Sequence, residues 1–282
     1  MESSGTVGSG RGTSVVVSFA CPDEATGIST AALTRLLDAS ERARLTRIVS
    51  AAVSRQFLVA HALLRVSLSR HLAIPPAEWR FARSHTGRPV ISGPVEPTSL
   101  SFSLTHTSGL VMCAVSDDHT VGIDAERIDA EANFALLVPQ VLSPHEASLW
   151  TAADVSSRAK RFHQLWALKE SLLKAAGLGL RMAPSRISFE LAEGSPPSAE
   201  RLPEELGSVD DWSFFVSEPT PAHACALAVK APSFDFARVE WREVSTEELV
   251  ESALGRFDEV VLAGAAHASV NPTNSRVADR CL

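Results

Sequence analysis

The sequence lacks the features that define several large classes of protein. Its 282 residues include only four cysteines, and none of them forms a C-x-x-C pair, which argues against a zinc ribbon and a disulfide scaffold. No apolar run approaches the roughly 20 residues that a membrane helix needs. The first residues show no basic segment followed by an apolar one, as a signal peptide would. We therefore expect a soluble, cytoplasmic protein with free thiols and no membrane partner.

The chain also lacks an excess of positive charge. Its 26 Lys and Arg against 33 Asp and Glu give a net charge of −7, which argues against a nucleic-acid partner. The distribution is uneven, because residues 35–88, here called the basic stretch, contain ten arginines and only three acidic residues and so carry +7. A local basic surface of this kind attracts a phosphorylated small molecule or an acidic partner protein.

Two polar tails flank the region that we expect to fold. Residues 1–13 are rich in Gly and Ser and predict a disordered N-terminal tail, and residues 265–282 predict a loose C-terminal tail. Between the tails we predict two α+β subdomains, 14–120 and 121–264. The sequence itself shows no internal repeat that would relate them.

Helix-like and strand-like segments alternate between the tails. Apolar residues at helical spacing predict long helices at 52–72 and 156–176, the second ending at Gly177, and Ser143-Pro144 opens a further helix. Short β-branched or apolar runs predict strands at 15–19, 100–104, 110–115, 120–124, 187–191, 212–216, 224–229 and 239–241. This grouping of strands with two dominant helices predicts an α+β fold.

Two carboxylates lie close together on one predicted strand. In Val121-Gly122-Ile123-Asp124-Ala125-Glu126 the side chains of Asp124 and Glu126 share a face, because side chains alternate along a strand. Carboxylates this close repel each other unless a cation joins them, and hard oxygen ligands suit Mg²⁺. The alternative is a strand end at which both acids are simply hydrated, and the spacing alone leaves both interpretations open.

A lysine interrupts the apolar face of the second long helix. Lys169 falls in the middle of that face, and a buried lysine must be paired or must bind an anion. Glu170, His163 and Lys174 lie on one flank, where an ordinary i,i+4 surface pair also explains Glu170 and Lys174. The apolar face itself consists of Phe162, Leu165, Leu172, Leu173 and Ala176.

Two further segments fit an anion site. His106 ends a predicted strand among the small hydroxyl residues of 103–107, and Gly87-Arg88-Pro89 is a turn that presents a guanidinium, whose fork suits phosphate. Taken alone, each also fits a simpler interpretation, a loop histidine with local hydrogen bonds and an ordinary turn. The sequence contains no P-loop, H-E-x-x-H or G-x-S-x-G motif, and its S-x-x-K stretch at 171–174 lacks the K-T-G of serine acyl-transfer enzymes.

In combination and order, these segments resemble the 4′-phosphopantetheinyl transferases of the large, monomeric, surfactin-synthetase-activating type. The most specific part is G-I-D-x-E followed about 40 residues later by W-x-x-K-E-S-x-x-K, and the order and spacing fit over about 40–190. Arg88, Thr105 and Ala125 stand where lysine, serine and a bulkier aliphatic residue are usual, and none of them removes a needed group. The matching segments are 87–89, 102–107, 121–126 and 166–177.

The resemblance implies a pseudo-twofold pair of similar α+β subdomains in one chain, with the active site between them, so that a monomer suffices. It implies transfer of the 4′-phosphopantetheine arm of coenzyme A to a serine of an apo carrier protein, with release of adenosine 3′,5′-bisphosphate. The carrier is an acyl, peptidyl or aryl carrier domain, whose acidic helix the basic stretch would suit.

The resemblance also assigns roles to individual residues. Asp124, Glu126 and Glu170 bind Mg²⁺, with Mn²⁺ as an alternative, and three carboxylates from a strand and a helix can indeed converge on one hard cation. Glu170 and Lys174 are the catalytic residues, and either Glu170 or a metal-bound water accepts the serine proton. The expected coenzyme ligands are Lys174 and His106 at the pyrophosphate, Lys169 as a further cation, Arg88 on the nucleotide side, and Arg44, Arg47 and Arg55 at the 3′-phosphate.

Two other functions need to be distinguished from this one. A non-catalytic module that binds coenzyme A or a carrier protein would have no need of all three carboxylates. A metal-dependent pyrophosphohydrolase would form its products from coenzyme A and water without any carrier protein.

Overall fold

The computed structural model describes residues 14–85, 87–94, 100–192 and 194–256. The predicted tails at 1–13 and 265–282 lie outside these residues. Among the helices described, none combines the length and the apolar character that crossing a membrane would require.

The first half of the chain begins with a strand and is dominated by one long helix. Asp38 and Glu41 form a capping box at the start of the short helix α2, and the Ser50 hydroxyl caps the long helix α3. In chain order the elements are β1 (Val15–Ala20), α1 (Gly27–Leu33), α2 (Ala39–Leu45), α3 (Ala51–His71), β2 (Arg80–Arg83), β3 (Pro89–Gly93), β4 (Ser101–Thr107) and β5 (Leu110–Ser116).

The second half follows directly. Ser143 and Glu146 form another capping box, and the long helix α6 ends at Gly177, whose φ of 70° is the left-handed conformation that glycine adopts without strain. Its elements are β6 (Thr120–Arg127), α4 (Phe134–Val141), α5 (Pro144–Ala152), α6 (Val155–Ala176), β7 (Ser188–Glu190), β8 (Ser198–Arg201), β9 (Ser213–Ser217) and β10 (His223–Lys230), followed by β11 (Val239–Glu243) and α7 (Thr246–Ala253).

The two halves share one topology. Each contains a strand, a long helix, a two-stranded hairpin and two further strands. In the first sheet the order is β11-β1-β5-β4 and in the second it is β6-β10-β9. The three strands β1-β5-β4 correspond to β6-β10-β9, and the pairing within each of these two sets of three is antiparallel. The predicted α+β fold with a pseudo-twofold pair of subdomains is confirmed.

The end of the described chain returns to the first half. β11 pairs in parallel with β1, and α7 packs against α1 and α3. The predicted limits of the second subdomain, 121–264, are therefore wrong for β11 and α7, which complete the first sheet and its helical layer. β1 and β11 are far apart in the sequence, and local sequence patterns do not encode a pairing between such distant strands.

Two of the cysteines follow the expectation of free thiols. Cys113 and Cys225 are buried free thiols, and burial raises the pKa of Cys113 to about 12.

The two sheets pack against each other through alternate residues of β1 and β6. This shared core includes Val17 of β1 and Ile123 of β6. Asp124 is one residue out of phase with Ile123, and it therefore lies on the opposite face of β6, toward α6. The fold thus places the predicted carboxylates between a strand and the second long helix.

Candidate active site

Side-chain hydroxyls join the edge strand β4 of the first half to β6 of the second. Three of them accept hydrogen bonds of 3.0–3.2 Å from backbone N–H groups of β6: Ser101 from Val121, Ser103 from Ile123 and Thr107 from Arg127. Thr105 belongs to the same alternating series, but its hydroxyl donates to the Asp124 carboxylate instead. The candidate site begins at Thr105, whose hydroxyl contacts a carboxylate instead of the backbone of β6.

Asp124 is the most deeply buried acid of the site, with 4% of its surface exposed. Its Oδ1 accepts hydrogen bonds from Thr105 Oγ1 at 3.0 Å and from Lys174 Nζ at 2.6 Å. Lys174 Nζ also donates to Thr105 Oγ1 at 3.0 Å and to the Ile123 carbonyl at 3.3 Å. Oδ2 is buried without a hydrogen-bond partner. A buried carboxylate oxygen left unpaired is costly unless a cation or a donor meets it.

Two glutamates add negative charge around Asp124. Burial and the charge of Asp124 raise the pKa of Glu126 to about 8, with Glu170 adding to the rise and Lys174 opposing it. Burial and the charge of Asp124 also raise the pKa of Glu170, again against Lys174. The three carboxylates therefore act on one another, and one lysine does not neutralise them.

This donor set fits a hard divalent cation by its chemistry. Carboxylate oxygens are the ligands that Mg²⁺ takes in proteins, and a cation would meet the unpaired Oδ2 of Asp124 and relieve the repulsion that raises both glutamate pKa values. As the side chains stand in the described residues, no group of three or more His, Cys, Asp and Glu forms a ready-made metal cluster. The fit is therefore one of ligand type and charge, without a preformed cage.

Close packing of α6 on β6 brings these groups together. A Cβ atom on Gly122 would lie 2.0 Å from the Ser171 carbonyl oxygen and 2.6 Å from the Ala175 nitrogen. Only glycine permits this approach of helix backbone to strand. Glu170 and Lys174 flank the contact on α6, so Gly122 sets their distance from Asp124.

A basic group of side chains adjoins the acidic cluster. Partial desolvation and the charge of Lys174 lower the pKa of His106, and Arg44 and His61 add to the effect. Arg44 lies over the Phe57 ring, 5.3 Å from its centroid. Arg44 and His61 line a cavity of about 290 Å³ between α2, α3 and the β2–β3 hairpin. The charges of Lys174, in the acidic cluster, and of Arg44, in this cavity, thus both act on His106, and the lining of the cavity also includes the acids Asp38 and Glu41.

Arg88 spans the two halves. Its guanidinium donates to the Phe102 carbonyl at 2.9 Å and to the Ala175 carbonyl of α6 at 3.3 Å. Burial lowers the pKa of Arg88, although a guanidinium stays charged at any physiological pH. It lines a cavity of about 420 Å³ together with Lys174 and Arg181. This cavity opens between the halves, next to the carboxylates.

The structure corrects the assignment of Lys169 as a coenzyme ligand. Its side chain is fully buried, and Nζ donates to Glu146 Oε2 at 2.5 Å and to the Val141 carbonyl at 2.7 Å. The sequence left two explanations for a buried lysine, a partner or an anion, and the structure shows a partner. The relevant glutamate lies on α5, and its proximity depends on how α5 packs against α6.

The arginines that were expected at the 3′-phosphate lie in different places in the structure. Arg55 faces Asp23 at 3.8 Å and lines a different cavity, of about 530 Å³, beside α1. Arg47 is exposed just after α2. In the part of the chain that the structure describes, neither is brought to His106, whereas the charge of Arg44 reaches it.

The structure thus brings together Asp124, Glu126, Glu170, Lys174 and His106, with Arg88 in the adjoining cavity. Sequence reasoning missed His61. The available signal was a histidine within the apolar face of the helix predicted at 52–72, where a polar ring needs a reason to be.

Two family models match the chain. The model described as "4'-phosphopantetheinyl transferase superfamily" matches residues 120–228, and the model described as "4'-phosphopantetheinyl transferase, N-terminal" matches residues 25–118. The two matches meet between β5 and β6, where one half of the fold gives way to the other.

Similar curated proteins carry related names. The chain is 26% identical to the 4'-phosphopantetheinyl transferase HetI of Nostoc sp., over 74% of this chain and 84% of that protein. It is 25% identical to the L-aminoadipate-semialdehyde dehydrogenase-phosphopantetheinyl transferase of Xenopus laevis, over 85% of both. It is 27% identical to a 4'-phosphopantetheinyl transferase of Bacillus subtilis, over 60% of this chain and 72% of that protein.

Proposed function

This chain belongs to the 4′-phosphopantetheinyl transferase superfamily, and from that premise we propose that it moves the phosphopantetheine arm of coenzyme A to a serine of an apo carrier protein, with Mg²⁺. Transfer from coenzyme A to a carrier protein is the activity of this superfamily. The observation that supports the finer proposal is the meeting of three carboxylates and Lys174 beside a basic group, at the junction of the two halves.

The reaction requires charge compensation at two places. The serine oxygen forms a bond to the phosphorus that carries the pantetheine arm, and the bond from that phosphorus to the bridging oxygen of the pyrophosphate breaks. Adenosine 3′,5′-bisphosphate leaves with the bridging oxygen, and the serine proton must be removed. Mg²⁺, held by Asp124, Glu126 and Glu170, would supply positive charge to the pyrophosphate.

Glu170 is the residue that we propose as proton acceptor for the serine. Burial and the charge of Asp124 raise its pKa, which brings its basicity closer to neutral pH. Lys174 donates its three N–H groups to Asp124, Thr105 and the Ile123 carbonyl, and it would turn one of them toward the pyrophosphate. His106, on the basic side, would donate to the same group from a ring that is neutral at neutral pH.

The two cavities suggest where the rest of coenzyme A is held. Arg88, between the halves, would face the nucleotide, as the resemblance implies. Of the three candidates for the 3′-phosphate, Arg44, Arg47 and Arg55, we retain Arg44, because its charge already reaches His106. A guanidinium suits a terminal phosphate since it offers two parallel donors.

The carrier protein is proposed to approach the exposed arginines of the basic stretch. Arg65 is buried inside the first half, so it cannot serve a partner. Arg42, Arg44, Arg47 and Arg83 are exposed on α2, just after it and on the β2–β3 hairpin. This exposed charge supports an acidic partner surface. Both halves of the site belong to one chain, which supports activity as a monomer.

Intact-mass spectrometry of an apo carrier protein tests the proposal. Carrier protein, coenzyme A, Mg²⁺ and this protein are incubated together, and a gain of one phosphopantetheine on the carrier is expected. The gain should disappear with chelator and with Glu170→Gln, and should persist with Glu204→Gln, a matched change at an exposed acid. Binding of coenzyme A without any gain would indicate a binding module. Release of adenosine 3′,5′-bisphosphate without a carrier would indicate a hydrolase.

A further inference from the structure

The turn that follows His106 is held from both halves of the molecule. β4 and β5 are joined by Ser108 and Gly109, with Gly109 at a φ of 86°. Gln56 of α3 donates from Nε2 to the Thr107 carbonyl at 2.5 Å. Nε2 of His223, the first residue of β10, lies 2.8 Å from the Ser108 carbonyl. Two consecutive carbonyls after His106 are therefore each bound by a side chain, one from each half.

The surroundings of His223 fix the state of its ring. The side chain is fully buried, and Nδ1 lies 2.6 Å from Thr220 Oγ1. A carbonyl only accepts, so Nε2 carries the proton toward Ser108 and Nδ1 accepts from the Thr220 hydroxyl. Burial lowers the pKa of His223, and the charge of Arg127 lowers it further, whereas the hydrogen bond to the Ser108 carbonyl opposes this shift. The ring is therefore neutral at neutral pH.

The same turn has a third attachment to the second half. Thr107 Oγ1 accepts a hydrogen bond from the Arg127 nitrogen at 3.2 Å, and Arg127 is the residue of β6 that pairs with His223. The side chain of His223 and the backbone of β6 thus hold neighbouring residues of one turn. Thr105, which hydrogen-bonds Asp124 and Lys174, and His106, on which the charges of Lys174 and Arg44 act, lie on β4 just before that turn.

We propose that His223 is a positioning residue, which fixes the β4–β5 turn through its bond to the Ser108 carbonyl and so sets the place of His106 relative to Lys174. The proposal rests on the proposed function, because the position of His106 matters only if His106 meets coenzyme A. It goes beyond that function, since His223 itself touches no reacting atom.

Four variants separate positioning from simple burial. His223→Leu removes the bond to Ser108, whereas the amide of His223→Gln can place its Nε2 near the position of the ring Nε2. His71→Leu is the matched control, because His71 is a largely buried histidine facing Asp117 at 3.3 Å, ten residues along α3 from His61. Thr220→Val keeps the ring but removes the donor to Nδ1, together with the acceptor of the Ala222 N–H, and provides a milder change if His223→Leu does not fold.

The readouts are the affinity for coenzyme A by titration calorimetry with Mg²⁺ and, separately, KM and kcat in carrier modification. We expect His223→Leu to weaken coenzyme A binding and raise its KM by roughly 3- to 10-fold, as loss of one hydrogen bond would. The KM for the carrier should not change. His223→Gln should recover most of the lost affinity for coenzyme A, and the affinity of Thr220→Val should lie between those of the wild type and His223→Leu. His71→Leu should lower only the melting temperature.

Equal coenzyme A affinity in wild type, His223→Leu and Thr220→Val would overturn the proposal, and so would a His223→Gln that behaves like His223→Leu. Failure of the proposed function is a separate outcome, since it shows as absence of transfer by the wild type. The calorimetric comparison still decides the role of His223 in that case.

Discussion

The two halves hold their long helices by the same device. In the first half, Glu41 at the start of α2 accepts from the backbone N–H of its own N-cap residue and binds Arg65 of α3 at 2.6 Å. In the second half, Glu146 at the start of α5 accepts from its N-cap N–H and binds Lys169 of α6 at 2.5 Å. Each cation is the fifteenth residue of its helix, and each is fully buried.

The halves differ in what surrounds that device. In the second half, Glu170 and Lys174 follow the buried Lys169 by one and five residues on α6, and Asp124 lies on β6. The first half has Val66 and Arg70 at the corresponding places of α3, and Ser18 at the corresponding place of β1. The buried ion pair therefore belongs to the scaffold, because both halves have it. The carboxylates at these positions occur in one half only, which supports the function that we propose for them.

The largest expected effect comes from breaking the ion pair of the second half. Lys169→Met should cost about 3–5 kcal/mol of unfolding free energy, since it leaves the Glu146 carboxylate buried and unpaired. The double variant Glu146→Gln with Lys169→Met should recover part of that loss in urea unfolding, because the glutamine oxygen keeps an acceptor for the buried N–H groups of Ser143 or Phe189, and it should bind coenzyme A with wild-type affinity. If Lys169 were a coenzyme ligand, the folded double variant would fail to bind, which would restore the original assignment.

The corresponding pair of the first half gives stability a dependence on pH. Burial alone would raise the pKa of Glu41, but the hydrogen bond from His61 and the charge of Arg65 outweigh it and lower the pKa to about 2. An unfolded Glu has a pKa of about 4.3. The carboxylate therefore stabilises the fold fully above that value, by about 3 kcal/mol, and loses this contribution as the pH falls toward 2.

Urea unfolding of the wild type and of Glu41→Gln, between about pH 5 and pH 3, checks this expectation. The wild type should lose its advantage progressively as the solution becomes more acidic. An advantage that stays constant over the range would contradict the lowered pKa of Glu41.

A smaller loss of stability is expected from a change at the contact between α6 and β6. Gly122→Ala inserts a methyl group against the backbone of α6 and should cost about 1–3 kcal/mol, as overpacking does. Transfer activity should fall more than stability, since Glu170 and Lys174 move away from Asp124. Val16 stands at the corresponding place of β1, so Val16→Ala is the control, with activity retained. Wild-type turnover and melting temperature in Gly122→Ala would refute this role of the glycine.

The smallest effect concerns the arginines beside the first long helix. Arg44→Ala should raise the KM for coenzyme A roughly tenfold, the loss of one charge-assisted contact to phosphate. Arg55→Ala should change it less than about twofold, because Arg55 faces Asp23 in another cavity. Steady-state kinetics with varied coenzyme A decides, and the reverse ranking would place the 3′-phosphate at Arg55.

Local signals in the sequence were sufficient for the long elements. The helices predicted at 52–72 and 156–176 are confirmed as α3 and α6, because the hydrophobic period and the Gly177 stop act within a few residues. The short helices α1, α2, α4 and α7 and the strands β2, β3 and β8 were not predicted. Their apolar faces are short and are completed only by tertiary packing.

The acidic part of the site could also be predicted from the sequence. Asp124 and Glu126 share a strand face and Glu170 and Lys174 a helix face, and packing of that helix on that strand brings them together. The partners of Lys169 and Arg44 were not within reach, because they depend on where α5 and α2 lie. Charge on a residue predicts that it needs a partner but does not identify the partner.

The return of β11 to the first sheet has a consequence for how the protein can be made. Among the described strands β1 is synthesised first and β11 last, so one edge of β1 stays open until the ribosome has passed residue 243. The first half therefore cannot complete its sheet until the second half has been synthesised, although it looks like a domain that would fold first. Cutting the gene between the two halves should yield an N-terminal fragment with an exposed, aggregation-prone edge, and adding the 239–253 segment as a separate peptide should protect that edge.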